Sequence, residues 1–85
     1  MVSSKNLKTL RAIFETPTRA NLRWTDIEKC LATLGAEISE GSGSRVRIKL
    51  NGERMTFHRP HPSPDTDKGA VVTLRNFLKN AGYDP

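Results

Sequence analysis

The sequence predicts a small α+β domain in which helices cover one face of a three-stranded antiparallel sheet, in the order helix, helix, strand, strand, strand, helix. Three stretches of the chain repeat apolar residues at the spacing of a helix. Two further stretches alternate apolar and polar residues on either side of Asn51-Gly52, as half-buried strands do. The 85 residues are enough for one domain with one modest core.

The first helix is predicted to have Ser3 or Ser4 as its cap and to end at Thr16-Pro17-Thr18, because proline does not continue a helix. Residues 19–24 then form a short link without regular structure. The apolar residues that we expect on one face of this helix are Leu7, Leu10, Ile13 and Phe14.

The second helix has the clearest signals in the chain. Thr25 lies three residues before Glu28, which is the spacing of a capping box and predicts that the helix starts at Thr25. Gly35 is placed to end it in the left-handed conformation. Trp24, just before the cap, is interpreted as a core residue rather than a platform for stacking bases. The apolar stripe of this helix is Ile27, Cys30, Leu31 and Leu34.

The three strands follow. Residues 36–40 are predicted as a short first strand and residues 41–43 as its loop. Asn51-Gly52 favours a two-residue type I′ turn, because both central residues of that turn need a positive φ, and such a turn fixes the register of the hairpin. The expected cross-strand pairs are Leu50 with Glu53, Ile48 with Met55, Val46 with Phe57, Lys49 with Arg54, Arg47 with Thr56, and Arg45 with His58.

The last helix is predicted after an irregular segment. Residues 60–68 contain three prolines and two aspartates, and we expect no regular structure in them. Gly69 is expected to precede the helix, and Gly82 marks its end. The apolar stripe of this helix is Val71, Leu74, Leu78 and Ala81.

Packing the second and last helices on the apolar side of the sheet leaves a cationic surface on the other side. We call this surface the basic face. Like charges opposite one another on a sheet are mildly destabilising, so their presence needs a reason. One reason is a solvated sheet face that resists aggregation, and the other is binding to phosphates. The basic face consists of Arg45, Arg47, Lys49, Arg54 and His58.

Composition excludes several classes of protein. Fourteen Lys and Arg against nine Asp and Glu give a net charge of +5, which favours a polyanionic partner such as RNA or an acidic protein. No apolar run approaches the ~20 residues of a membrane span, and the N-terminal residues lack the charged-then-apolar pattern of a signal peptide, so we expect a cytoplasmic protein. With one cysteine, Cys30, and two histidines we expect no disulfide, no metal site and no cofactor.

The order of several motifs resembles the HicA toxin family of bacterial toxin-antitoxin systems. The resemblance covers about residues 23–84 and leaves residues 1–22 as an extra N-terminal helix and link. It implies a fold like the double-stranded-RNA-binding domain, metal-independent cleavage of mRNA, and a HicB-like antitoxin as partner. The motifs are T-D-I-E-K-C-L-A-T-L-G-A-E-I, then G-S-G-S-R-V-R-I, N-G and P-H-P, and finally K-G-A-V-V-T-L-R-N-F-L-K-N-A-G.

One position departs from the family pattern. The family has a glycine, a serine and a histidine held to be catalytic at the start of the second strand, whereas this chain has Gly43, Ser44 and Arg45. The second family histidine matches His61. His58 has no counterpart in the family pattern, but the predicted register puts it opposite Arg45.

The chemistry of RNA cleavage limits what Arg45 can do. Attack by the 2′-hydroxyl needs a base, an acid and a cation beside the phosphorane. Guanidinium keeps its proton at physiological pH and cannot be the base, whereas imidazole titrates near pH 6.5. We therefore expect Arg45 to stabilise charge and His58 or His61 to move protons. The expected RNA contacts are Ser44, Arg45, Arg47, Lys49 and Arg54.

Three functions remain open at this point. The first is a ribonuclease toxin that uses the Arg45 and His58 side of the sheet. The second is a module of the same fold that binds RNA or an antitoxin but has lost cleavage. The third is a protein-interaction domain whose basic face docks an acidic partner.

Overall fold

A computed structural model of the chain describes residues 4–60 and 65–84, and it confirms the predicted α+β class. In this part of the chain three helices accompany two antiparallel sheets, one of three strands and one of two very short strands. None of these helices is long and apolar enough to cross a membrane. The elements are α1 (Ser4–Ile13), β1 (Leu22–Arg23), α2 (Trp24–Thr33), β2 (Glu37–Glu40), β3 (Arg45–Leu50), β4 (Glu53–His58), β5 (Asp65–Thr66) and α3 (Lys68–Asn80).

The larger sheet has the strand order β2-β3-β4, and both pairs are antiparallel. All six cross-strand pairs predicted for the hairpin are present, from Leu50 opposite Glu53 to Arg45 opposite His58. Asn51 has φ 50° and Gly52 has φ 83°, as a type I′ turn requires. The turn is also tied to the last helix, because Asn51 Nδ2 donates to the Ala81 carbonyl at 2.9 Å.

The core lies between this sheet and helices α2 and α3, as predicted. The predicted apolar stripe of each helix faces the interior. Every residue of the two stripes is buried except Leu34, which is half-buried. Trp24 is buried and stacks on Phe57, with ring centroids 4.6 Å apart and planes within 10°. The side chains with the least exposure are Ile13, Ile27, Cys30, Leu31, Val46, Ile48, Thr66, Val71, Leu74 and Leu78.

Helix α1 packs on α2 and α3 rather than on the larger sheet. Asn6 Nδ2 donates to Thr33 Oγ1 at 2.8 Å, which joins α1 to α2. Arg75 of α3 donates to the carbonyls of Ile13 and Glu15, so it binds the unpaired carbonyls at the end of α1. Leu10 and Ile13 are buried as predicted and Phe14 is half-buried, but Leu7 is 37 % exposed and does not belong to the core.

The predicted starts of α2 and α3 are each wrong by one or two residues. Helix α2 begins at Trp24 with Arg23 as its N-cap, and no side chain caps it, so the capping box of Thr25 and Glu28 is absent. Trp24, the first residue of the helix, is buried against Phe57. Helix α3 begins before Gly69, because the Asp67 carboxylate accepts the Ala70 N–H at 2.7 Å and caps the first turn.

The two segments predicted to be irregular contain a short bridge. Leu22 pairs with Thr66 and Arg23 pairs with Asp65, so β1 and β5 form a two-stranded antiparallel sheet within residues 19–24 and 60–68. Strands of two residues carry no alternation that a sequence pattern could reveal. The bridge connects the chain before α2 to the chain before α3.

Candidate functional site

The structure places all five side chains of the basic face on the side of the sheet opposite the core, and all five are exposed. They alternate along β3 and β4 with the buried residues Val46, Ile48, Leu50 and Phe57. This alternation follows from the two-residue period of a strand. The ribbon therefore has one cationic and one aliphatic side.

Arg45 and His58 lie side by side at one end of this ribbon. The Arg59 N–H donates to the Ser44 carbonyl at 3.0 Å, which makes Ser44 and Arg59 a hydrogen-bonded pair. The next pair, Arg45 and His58, then falls in the non-hydrogen-bonded position, where Cα atoms are about 4.5 Å apart and side chains are close. Lys49 and Arg54 occupy the same kind of position at the other end of the ribbon.

The four cations of the basic face form no ion pair with a carboxylate of the described residues; the four ion pairs of that part of the chain involve Lys5, Arg19 and Arg59. On this side of the three strands the single carboxylate belongs to Glu37, which is opposite Lys49 in the register. The positive charge of the basic face is therefore available to an anionic ligand.

The basic face is concave over its centre and encloses about 560 Å³. Its floor comes from all three strands, and hydroxyl groups of Ser39 and Thr56 lie beside the cations. No aromatic ring lines this concavity. A ligand bound there would contact three cations, hydroxyl groups and the Glu37 carboxylate rather than a stacking surface.

The loop between β2 and β3 holds Arg45 in a tight turn. The Gly41 N–H donates to the Arg45 carbonyl at 2.9 Å, and the Arg45 N–H donates to the Ser42 carbonyl at 3.2 Å. A Cβ on Gly41 would lie 3.2 Å from the Cβ of Arg45, so a side chain at position 41 would push against Arg45. Ser44, predicted as an RNA contact, is exposed next to Arg45.

A residue that the sequence analysis missed stabilises this end of the sheet from the other side. Arg59 binds the Glu40 carboxylate with two nitrogens, at 2.9 and 2.7 Å, and the Glu28 carboxylate of α2 at 3.3 Å. The hydrogen bond to Glu40 is the main reason why the pKa of Arg59 is raised, and Glu28 adds to it. Arg59 thus joins the end of β2, the end of β4 and α2.

His58 also borders a second, shallower groove of about 310 Å³ between β4 and the start of α3. Asp67, Gly69 and Thr73 line the opposite wall of this groove. The Asp67 carboxylate is engaged by the Ala70 N–H, so it serves as a helix cap. The imidazole of His58 can therefore be approached both from the basic face and from the edge of β4.

Two further residues that the sequence analysis discussed are His61 and Cys30. His61 lies outside the described residues, so its position relative to Arg45 and His58 stays a prediction. Cys30 is buried on α2 and donates to the Asn6 carbonyl at 3.4 Å, far from the basic face in the fold. Within residues 4–60 and 65–84 no three side chains of His, Cys, Asp or Glu come together in a way that could hold a metal ion.

Comparisons with known proteins identify the family of this chain. A peptidyl-tRNA hydrolase from Pelodictyon phaeoclathratiforme (strain DSM 5477 / BU-1) is 33% identical over 64 residues, which are 73% of this chain and 34% of that protein. The chain thus spans about a third of the length of this curated relative. No solved structure matches this chain. The family model described as the HicA toxin of bacterial toxin-antitoxin systems matches residues 24–83, from the start of α2 to just beyond the end of α3. The chain belongs to the HicA toxin family.

Proposed function

We propose that this toxin is an endoribonuclease that cleaves mRNA at the Arg45 end of the basic face without a metal ion. The observation that carries the proposal is the pairing of Arg45 and His58 on exposed, adjacent positions of β3 and β4. A guanidinium and an imidazole beside one phosphate supply a fixed cation and a group that can accept or donate a proton. The RNA-binding role of Ser44, Arg47, Lys49 and Arg54 belongs to the same proposal.

In the proposed reaction the 2′-oxygen of one nucleotide forms a bond to the adjacent phosphorus, and the bond from phosphorus to the 5′-oxygen breaks. One of the two histidines, His58 or His61, takes the proton of the 2′-hydroxyl, and the other gives a proton to the departing 5′-oxygen. Arg45 donates hydrogen bonds to the phosphate oxygens, whose negative charge grows in the transition state. The products are a 2′,3′-cyclic phosphate and a free 5′-hydroxyl.

An antitoxin of the HicB type is the proposed protein partner, as membership of the family supports. The basic face offers an acidic partner a concave, unpaired set of cations. Arg45 and His58 lie outside this concavity, so a partner seated there would have to extend to the Arg45 end of the ribbon to cover them and exclude RNA. Because inhibitor and substrate then compete for the same cations, RNA and the antitoxin should bind in a mutually exclusive way.

A second candidate is a module of the same family that binds RNA or an antitoxin without cleaving RNA. Arg45 stands where the family has its histidine, and a guanidinium cannot act as the base. The similarity to a protein named peptidyl-tRNA hydrolase supports an RNA ligand under either candidate. A third candidate, in which the basic face docks an acidic protein and never binds RNA, predicts no RNA affinity even at low salt.

The test is cleavage of an end-labelled RNA by the purified protein in the presence of a chelator. We expect fragments that end in a 2′,3′-cyclic phosphate, and no cut where a single 2′-deoxynucleotide replaces the nucleotide that would attack. His58→Gln and His61→Gln separate the two histidines, and Lys79→Gln, which removes an exposed cation at the far end of α3, is the matched control. RNA that is bound but stays intact would favour the second candidate, and absence of binding would favour the third.

A further inference from the structure

The cations of β3 form a straight row with one end at the proposed reacting centre. Arg45, Arg47 and Lys49 occupy alternate positions of the strand and are all exposed. Alternate residues of a strand are about 6.7 Å apart, so the row is about 13 Å long. Arg54 lies beside Lys49 on β4 and widens the row at its far end.

We propose that this row is a phosphate track, on which a single strand of RNA lies extended along β3 with the reacting phosphate at Arg45 and the next two phosphates on one side of the cut at Arg47 and Lys49. The inference rests on the proposed function for the position of the cut, but the binding of RNA to the track can be measured without any cleavage. The track makes the site asymmetric, because the cations that contact the RNA backbone lie on one side of the cleaved linkage.

The charge beyond Arg45 supports this asymmetry. The loop of residues 41–44 has the sequence Gly-Ser-Gly-Ser and contributes no cation. Behind it, Arg59 is occupied by the carboxylates of Glu28 and Glu40, so this cluster has one more negative than positive charge. An RNA backbone that extends past Arg45 gains no further cation from these residues, whereas one that extends toward Lys49 gains three.

The charge across the sheet places the track over β3 and β4. Glu37 of β2 lies opposite Lys49 and would repel a phosphate, and the next residue of β2 on this face is the uncharged Ser39. On the β4 side the corresponding positions carry Arg54, Thr56 and His58, which all donate hydrogen bonds or carry positive charge. The concavity of about 560 Å³ is lined by residues of both strands, including Arg47 of β3 and Thr56 of β4.

The track fits one strand better than a duplex. A domain that recognises double-stranded RNA by shape spans about 16 base pairs and contacts two successive minor grooves. The row of about 13 Å is much shorter, and a single line of cations follows a single backbone. Because no aromatic ring lines the concavity, the bases have no stacking platform there, and the binding depends on phosphates and hence on salt.

The proposal is tested in two experiments, a binding arm and a cleavage arm. In the binding arm, fluorescence anisotropy gives the affinity of the protein for a labelled single-stranded oligonucleotide over a range of salt concentrations. The three phosphates of the track, with a fourth beside Arg54, give a slope of log K against log salt near −3, and each lost contact lowers its magnitude by about 0.7. We expect this loss for Arg47→Gln, Lys49→Gln and Arg54→Gln, and tighter binding for Glu37→Gln. Lys79→Gln and Glu53→Gln, on α3 and on the helix side of β4, are the controls and should leave the slope unchanged. Equal effects of track and control variants, or equally tight binding of a duplex of the same sequence, would overturn the track.

The cleavage arm uses DNA oligonucleotides with one ribonucleotide, placed at a linkage that the protein cuts in a longer RNA. Removing three nucleotides on one side of this linkage should raise KM several-fold, and removing three on the other side should leave KM unchanged. Arg47→Gln and Lys49→Gln should abolish this difference. Equal effects of the two truncations contradict the track. If the wild-type protein cuts nothing, the proposed function fails, and the binding arm alone decides whether the track exists.

Discussion

Arg59 and Glu40 form a bidentate pair, with Nη1 to Oε2 at 2.9 Å and Nη2 to Oε1 at 2.7 Å. Two parallel hydrogen bonds fix both the distance and the orientation of the two groups. Arg59 follows His58 directly, and Glu40 precedes the loop that ends at Arg45. The pair therefore lies behind the proposed reacting centre, on the side of the sheet that faces α2.

We expect Arg59→Ala to lower the kcat for RNA cleavage while leaving KM within about twofold, because the reacting groups lose their alignment but the track keeps its cations. Arg59→Lys should restore activity in part, since an ammonium is a point charge that cannot bind both carboxylate oxygens in the same way. The matched control is Arg19→Ala. Its surface ion pair with Glu15, at 3.6 Å, is worth about 0–1 kcal/mol. A rise in KM with unchanged kcat for Arg59→Ala would show that Arg59 contacts RNA directly.

If the proposed function holds, Arg45→His should increase cleavage, because it places a group that exchanges protons opposite His58. A well-placed general acid or base contributes about 10²–10⁴-fold. Arg45→Lys is the control, since it keeps a positive charge but holds its proton at neutral pH. Initial rates on one labelled RNA measure the effect. If the His and Lys variants cleave at the same rate, position 45 acts only through its charge.

Gly52→Ala should destabilise the protein by about 1–2 kcal/mol, because an alanine at φ 83° adopts the left-handed conformation at that cost. A Cβ at this position would meet nothing within 4 Å, so the effect comes from the backbone alone. Gly69→Ala, in the first turn of α3, is the control and should be neutral or slightly stabilising. Urea unfolding of both variants at constant m-value compares them. Equal stability of the two variants would contradict the positive φ at Gly52.

Cys30 should make the free energy of unfolding depend on pH in the alkaline range. Burial raises the pKa of its thiol above the ordinary value of 9.0. Below pH 9.0 the thiol is protonated in both the folded and the unfolded state, so its full contribution to the free energy of unfolding is present. As the pH rises, the unfolded state loses its proton first and is stabilised, and the decrease in folding stability ends at the folded pKa. Cys30→Ala should be less stable at pH 7 but should lack this part of the pH dependence, as urea titrations at pH 8 and pH 10 can test. An identical pH dependence in both proteins would contradict a buried thiol.

The hairpin could be predicted from sequence because two independent signals agree on it. The alternation in Arg45–Leu50 and Glu53–His58 assigns every side chain to a face, and Asn51-Gly52 sets the register by itself. A shift by one residue would turn the apolar side chains to water. The placement of Arg45 opposite His58 followed from this register without any knowledge of the rest of the fold.

The parts that could not be predicted depend on contacts between distant residues. Glu28 has the spacing of a capping residue, but in the fold its carboxylate binds Arg59, which is 31 positions later in the sequence. The bridge of Leu22 with Thr66 joins residues 44 positions apart and leaves no periodic pattern. Arg59 itself follows the last residue of β4, so only the partners of its side chain reveal its role. In each case a local signal is ambiguous and tertiary packing decides.

The stack of Trp24 on Phe57 gives the protein an internal optical probe. Trp24 is the single tryptophan of the chain, and its ring contacts the residue that immediately precedes His58. Indole emission shifts to longer wavelength when the ring enters water, so the fluorescence spectrum reports, without a label, whether α2 still packs on the strand that carries the imidazole. A variant of the basic face whose emission matches that of the wild type has kept this packing, and its altered activity can then be assigned to chemistry.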